Sequence, residues 1–308
     1  MINDALPPSA IHAVPLRHPW RWVAAIFIVL LVGLFLYGAA TNDAFRWSVY
    51  REYLFNTRVL KVGLFNTLQL TVYAIVLAVV LGVVLAVMRL SPNPVFKSVS
   101  WVFLWIFRGT PVYVQLVFWG LIPTIYQHIQ LGVPFTGPTF VEFSAQSLSI
   151  PFLLATIGLA LNEAAYMAEI IRAGISSVPE GQLEASTALG MSWGLAMRRT
   201  VLPQAMRVII PPTGNEVISM LKTTSLVTGV PFTLDLYGIA SREIAARIYE
   251  PVPLLMVAAT WYLVVTSILM VGQYYLEKYF SRGASRKLTT KQLEALAKAQ
   301  LGEGKNAI

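Results

Sequence analysis

Thr67-Leu-Gln-Leu-Thr-Val-Tyr-Ala-Ile-Val-Leu-Ala-Val-Val-Leu-Gly-Val-Val-Leu-Ala-Val-Met88 contains no charged side chain. At about 1.5 Å of rise per residue, this run reaches across a hydrocarbon core of ~30 Å. Lipid offers no partners to backbone amides, so the run has to be a helix. Five further runs of comparable length and apolarity lie near 22–40, 102–125, 150–171, 204–227 and 252–275. The chain is therefore read as an all-α polytopic membrane protein with about six transmembrane helices. Its composition agrees: 12% of the 308 residues are charged, against roughly 25% in soluble domains. The first run closes on the small residues Gly38, Ala39 and Ala40, as a signal peptide does. It is longer than a signal h-region of roughly 7–15 residues, so an uncleaved anchor is preferred.

Several chemistries are excluded by residue type. Cysteine is absent, which removes disulfides, thiolate metal sites and a cysteine nucleophile. The histidines are His12, His18 and His128, and no metal-ligand spacing can be built from them. A net charge of +8 invites a nucleic-acid reading, but membrane proteins collect Lys and Arg in their cytoplasmic loops, which is the better account. With both termini inside, the cytoplasmic segments hold Arg17, Arg21, Arg89, Lys97, Arg172, Arg198, Arg199 and a basic tail. The connection 126–149 holds no Lys or Arg, as an outer loop should. Arg46, Arg51, Arg58, Lys61, Arg242 and Arg247 run against this orientation and are outvoted.

The third, fourth and fifth spans are irregular. Arg108-Gly-Thr-Pro111 interrupts the third near its start, Glu163 and Glu169 sit in the fourth, and Pro211, Pro212, Asn215, Glu216 and Lys222 sit in or near the fifth. Proline frees a carbonyl that needs another partner, so these helices belong inside a bundle rather than against lipid. Beyond the last span, Thr289–Gln292 has the form of a capping box leading into a short helix stopped by Gly302. It is read as a basic tail in water or against anionic lipid.

Between the fourth and fifth spans lies a polar island, Glu180-Gly-Gln-Leu-Glu-Ala-Ser-Thr-Ala-Leu-Gly-Met-Ser-Trp-Gly194, running on to Leu202-Pro203. Ser177-Val-Pro-Glu180 is read as a helix start with Ser177 as cap. The helix should run to Leu189, where Gly190 supplies the left-handed residue that ends it. Ser192 then caps a second short helix, Trp193 to Arg199. Such an element is either a rigid cytoplasmic protrusion or an amphipathic hairpin on the bilayer, and pattern alone does not separate the two.

From Glu184 the text reads Glu-Ala-Ser, three residues, Gly190, nine residues, Thr200, one residue, Leu202-Pro203. This resembles the EAA loop of permease subunits of binding-protein-dependent ABC importers, with Ser186 in place of an alanine and Thr200 in place of an isoleucine. Ala165–Gly174, Gly181-Gln182, Leu202–Ala205, Lys222–Leu226, Asn66-Thr67 and Arg108–Pro111 with Gln115 resemble the polar amino acid branch of that family. The resemblance covers roughly 63–275.

The resemblance implies a permease subunit in a prokaryotic cytoplasmic (inner) membrane, paired with a second permease that is the same or a related chain. Cytoplasmic ATPase subunits would carry the ATP and Mg, and an external solute-binding protein would deliver a polar amino acid or related solute. Glu180, Gly181, Glu184, Ala185, Gly190, Leu202 and Pro203 would form the ATPase-coupling loop. The chain itself has no G-x-x-x-x-G-K-[ST] loop, since Ala299 stands where the glycine before Gly304-Lys305 is needed. It would bind no cofactor and be no enzyme. Ionisable groups at membrane depth line cavities or pair with each other, so Asn162, Glu163, Asn215, Glu216 and Lys222 are candidates for the substrate path, with internal pairing as the alternative. Glu169 and Arg172, three residues apart, are expected to pair. The expected organisation is 1–62 as tail, anchor helix and connecting segment, 63–276 as the permease domain, and 277–308 as a basic cytoplasmic tail. The competing readings are an ion-gradient-driven secondary carrier, a non-transporting scaffold or sensor, and, more distantly, a membrane enzyme.

Overall fold

A computed structural model describes residues 19–126, 128–132, 139–144, 150–246 and 250–280. The expected tail helix and both terminal tails lie outside these residues. The elements are α1 (Pro19–Thr41), α2 (Trp47–Leu54), α3 (Phe65–Leu90), α4 (Pro94–Gly109), α5 (Val112–Ile125), β1 (His128–Gly132), β2 (Thr139–Ser144), α6 (Pro151–Ser176), α7 (Glu180–Ala188), α8 (Trp193–Ala196), α9 (Leu202–Thr223), α10 (Leu236–Ala246) and α11 (Pro251–Phe280). A π-helical turn, Val59–Leu64, leads directly into α3, and another, Met197–Val201, joins α8 to α9.

The centre of the fold is the α3–α6 pair, the most extensive helix contact among the described residues. Ala74, Ala78, Gly82 and Ala86 recur every fourth position along one face of α3, and Ala160, Ala164 and Ala168 do the same on α6. All seven are buried. Small side chains let two backbones approach closely, which is how helices gain packing where lipid supplies no hydrophobic drive. A Cβ on Gly82 would lie 2.6 Å from the Met167 Cβ and 3.1 Å from the Ala168 nitrogen. α4 joins this pair through Ser100, whose hydroxyl donates to the Leu85 carbonyl at 2.9 Å. α9 packs on α6, and α11 packs on α9, where Gln273 Nε2 donates to the Pro211 carbonyl at 2.7 Å.

A second cluster joins α2, the first π turn, α10 and α11 through Val49, Tyr53, Val59, Leu236, Ile239 and Leu254. Asp235 caps α10 by accepting from the Tyr237 and Gly238 amides at 3.1 and 3.2 Å, and Thr67 of α3 accepts from the Leu236 amide at 2.9 Å. Burial pushes the Asp235 carboxyl up to about 6, against the pull of those amides. α1 buries none of its residues, as suits a helix surrounded by lipid. It is tied back by Trp47 Nε1, which donates to the Ala39 carbonyl, and by the ion pair between Arg46 and Glu250 at 2.8 Å on the same connection.

Three expectations change. The third span is not one helix: α4 and α5 meet at 107° across Gly109–Pro111. Among the described residues, four helices are long and apolar enough to cross a membrane, or five if the bent pair counts as one span. The fifth run read from the sequence, α9, is long enough but too polar, because one of its faces lines a cavity. Finally, the connection 126–149, which holds no Lys or Arg, contains an antiparallel strand pair, β1–β2, which pairs Ile129 with Phe143 and Leu131 with Val141.

Candidate functional site

The break between α4 and α5 builds the site. Thr110 and Pro111 are extended, which leaves the last carbonyls of α4 without helical partners. Buried Gln115 answers this from α5: its Nε2 lies 3.0 Å from both the Phe107 and Thr110 carbonyls and 2.7 Å from Thr110 Oγ1. Asn162 of α6 commits both amide hydrogens to the same clasp, donating to the Phe107 carbonyl and to Gln115 Oε1, each at 3.0 Å. The elbow in the membrane is thus held by side chains that replace the missing backbone bonds.

Beside it opens a cavity of about 530 Å³. Leu159, Asn162, Glu163 and Tyr166 enter it from α6, and Glu216, Ser219, Met220 and Thr223 from α9. Both sets have spacing i, i+3, i+4, i+7, one face of a helix. The rest of the wall is 108–112, including Arg108, whose guanidinium lies 5.5 Å over the Tyr166 ring. Glu163 is buried, and its Oε1 has no hydrogen-bond partner in the protein. Glu216, which is partly exposed, lines the same cavity from α9. The cavity therefore presents a cation from the α4 end and carboxyl groups from α6 and α9, a set that can hold opposite charges at once.

Of the five substrate-path candidates, Asn162, Glu163 and Glu216 meet here. Asn215 and Lys222 do not. Asn215 is exposed, and Lys222 lines a separate recess of about 320 Å³ with Tyr237 and Tyr262. Glu169 and Arg172 pair as expected: Arg172 Nε donates to Glu169 Oε2 at 3.1 Å, and a second contact joins Nη2 to Oε1. That bond, more than burial, holds the Glu169–Arg172 pair as a structural link. The sequence reading passed over Arg108, Tyr166 and Ser219 as site residues. The signal was present, since each sits on the same helical face as a candidate or at the edge of the break.

The polar island has the expected two-part form with different details. α7 is capped at Pro179, and Ser177 instead closes α6 by donating to the Gly174 carbonyl at 2.7 Å. Pro179 fixes an extended entry, so Ser177 stands too far back to reach the first amides of α7. Gly190 has φ +79°, and the Met191 and Gly190 amides donate to the Ser186 and Thr187 carbonyls at 3.1 and 2.9 Å. This is a Schellman closure, which satisfies the last carbonyls of α7. Ser192 makes no side-chain cap, and α8 runs through its π turn into α9 rather than standing apart. Glu180, Gly181, Glu184, Ala185, Leu202 and Pro203 are exposed, as are the large apolar side chains Leu189 and Trp193 beside the turn.

Ser186 and Thr200, the two departures from the loop pattern, are partners. Their hydroxyls lie 2.8 Å apart and Ser186 Oγ is also 2.8 Å from the Gln182 carbonyl. The pair clasps α7 to the start of α9. Ser186→Ala or Thr200→Ile alone is expected to weaken the elbow by about 1 kcal/mol, and the double change to recover most of that loss. Limited proteolysis of the loop reads this out, and strictly additive losses would refute the partnership.

Comparison with known proteins follows the same lines. Residues 78–282 match the family described as "Binding-protein-dependent transport system inner membrane component". Over 294 residues the chain is 62% identical to the arginine transport system permease protein ArgU of Corynebacterium glutamicum, covering 95% of this chain and 90% of that one. This match reaches beyond the 63–275 stretch recognised from motifs. The nopaline transport system permease protein NocM of Agrobacterium fabrum is 36% identical, covering 70% and 86%. The histidine/lysine/arginine/ornithine transport system permease protein HisM of Escherichia coli is 38% identical, covering 68% and 83%. Among solved structures, a chain of an amino acid ABC transporter with histidines superposes with a TM-score of 0.60 at 32% identity, covering 76% and 98%.

Proposed function

The chain belongs to the binding-protein-dependent transport system inner membrane components, and from that membership we propose that it carries cationic or zwitterionic amino acids through the cavity between α4–α5, α6 and α9. It is a multi-pass permease subunit of an ATP-driven importer, and the ion-gradient carrier has no support among its relatives. The observation that favours a charged amino acid is the pairing of opposite charges in one cavity, Arg108 against Glu163 and Glu216. The amino end of α5 opens on the same space, so its free amides and Arg108 would take the solute carboxylate. The two carboxyl groups would take an ammonium or guanidinium. The relatives named for arginine, nopaline and histidine/lysine/arginine/ornithine transport fit such a site.

The remaining parts follow from the elbow. Glu180, Gly181, Glu184, Ala185, Gly190, Leu202 and Pro203, with Leu189 and Trp193, would meet a cytoplasmic ATPase that binds ATP and Mg. Because α8 continues into α9, displacement of the elbow would move a cavity wall directly, which is a route to alternating access. A second permease, the same or related, and an external solute-binding protein complete the proposed assembly. Both termini would be cytoplasmic, with 63–276 as the permease domain between an anchor segment and a basic tail.

Reconstitution tests this reading. Proteoliposomes holding the permease, its co-purifying ATPase and its binding protein are expected to take up labelled L-arginine only with ATP. Uptake by the permease alone, driven by a sodium or proton gradient, would overturn it.

A further inference from the structure

The recess around Lys222 takes no part in the cavity described above. Lys222 enters it from the end of α9, Ser225 from the turn that follows, Tyr237 from α10, and Leu255, Ala259 and Tyr262 from α11. α9 has 22 residues, about 33 Å of helix, and starts at the elbow, so Lys222 near its far end stands at the opposite membrane face. Among the described residues the Lys222 ammonium makes no ion pair, and no acid lines the recess. Asp235, close by in sequence, is occupied by the Tyr237 and Gly238 amides. Ser225 Oγ donates to the Lys222 carbonyl and Thr224 Oγ1 to the Leu221 carbonyl, both at 2.7 Å, so these hydroxyls have no hydrogen left to offer. The donors that remain are the Lys222 ammonium and the Tyr237 hydroxyl, a set suited to an oxyanion.

The mouth of the recess points to what fills it. Leu255 and Ala259 are exposed at its edge, and exposed Leu263 continues the same face of α11 at spacing i, i+4, i+8. An apolar strip leading away from a cation and a phenol has the outline of a phospholipid, phosphate at one end and acyl chain along the other. A free carboxylate or phosphate would satisfy the same donors and leave the strip bare. We propose that the recess holds one anionic phospholipid, its phosphate on Lys222 and Tyr237 and an acyl chain laid along Leu255, Ala259 and Leu263. The lipid carries net negative charge, because a choline or ethanolamine head would set a second cation beside Lys222. A lone ammonium at the membrane face is thereby answered by a headgroup, while its stem stays on apolar surface. Since the recess joins α9, α10 and α11, filling it braces the three helices against one another.

Native mass spectrometry and thermal unfolding of the purified permease–ATPase complex test this, with phosphatidylglycerol and phosphatidylcholine added to detergent micelles. Wild type is expected to retain a single phosphatidylglycerol per permease chain, and to gain thermal midpoint from that lipid but not from phosphatidylcholine. Lys222→Gln should lower phosphatidylglycerol affinity about tenfold and Tyr237→Phe about fivefold, as loss of a hydrogen bond to a charged group does. Lys222→Arg should keep it. The midpoint in phosphatidylcholine detects a folding defect, and if Lys222→Gln shows one, Tyr237→Phe carries the comparison. Equal affinity in wild type and Tyr237→Phe, with Lys222→Gln folded and equal too, would overturn the site. The same midpoint gain from inorganic phosphate would overturn the lipid and leave a soluble anion in its place. Loss of a second permease chain from Lys222→Gln at an unchanged lipid count would also overturn it, by assigning Lys222 to a contact between subunits.

Discussion

Replacing Gly190 with leucine is expected to abolish ATP-dependent uptake while the protein still inserts and folds. The reason is the separation between what Gly190 does for the chain and what it offers outside. Its φ of +79° is a left-handed conformation that an L-residue adopts at a cost of roughly 1–2 kcal/mol. That cost falls on the Schellman closure of α7 alone. A Cβ built at Gly190 finds no atom of this protein within 4 Å, so nothing in the bundle is displaced. The bulk of a leucine would project into the space where Leu189 and Trp193 already stand exposed, at 79% and 68%. A partner seated on that surface would meet it at once. Membrane yield and thermal midpoint should remain near wild type, and co-purification of the ATPase, or uptake with the ATPase bound, should be lost. Full uptake by Gly190→Leu would dismiss the elbow as the point where force enters.

The loop shows what a sequence reveals and what it withholds. Gly190 was legible because a left-handed helix stop has few residues that tolerate it. Ser177 was misread because Ser-x-Pro-Glu is an equally good local signal for two different caps, and only the extended entry at Pro179 decides between them. The spans at α3 and α6 were legible from apolarity, which lipid enforces residue by residue. The 107° elbow at Gly109–Pro111 was visible as an interruption but not as an angle. The angle depends on Gln115 and Asn162 meeting the same carbonyl from two helices, a contact that has no local signature.

The cavity was half legible for a similar reason. Glu163 and Glu216 stood out as charges in apolar text, but so did Asn215 and Lys222. Helical rotation separates them: at about 100° per residue, Asn215 lies about 100° and Lys222 about 240° from Glu216, whereas Ser219, Met220 and Thr223 share its face. Applying that filter to α9 would have returned the wall as it stands. Arg108 needed the tertiary fold, since only the turn at Gly109 brings the end of α4 across to Tyr166.

The largest effect on folding is expected at Gly82. Leucine there should prevent accumulation of folded protein, and alanine should lower the thermal midpoint and the yield. In α3 and α6 the Ala-Gly face sets a backbone separation with no spare room, and a single added Cβ would lie 2.6 Å from Met167 Cβ and 3.1 Å from the Ala168 backbone nitrogen. Neither neighbour is the free end of a flexible side chain, so the helices themselves must part. Overpacking of this kind costs about 1–3 kcal/mol for small insertions and more when backbone must move. Parting α3 from α6 also shifts Asn162 and Glu163, which lie on the α6 face lining the cavity. Residual uptake in Gly82→Ala should therefore fall further than protein amount does. Size-exclusion profile, thermal midpoint and uptake per folded molecule separate the two effects. A Gly82→Leu protein with wild-type stability would mean that α3 and α6 are not in contact, and the cavity built on that contact would go with it.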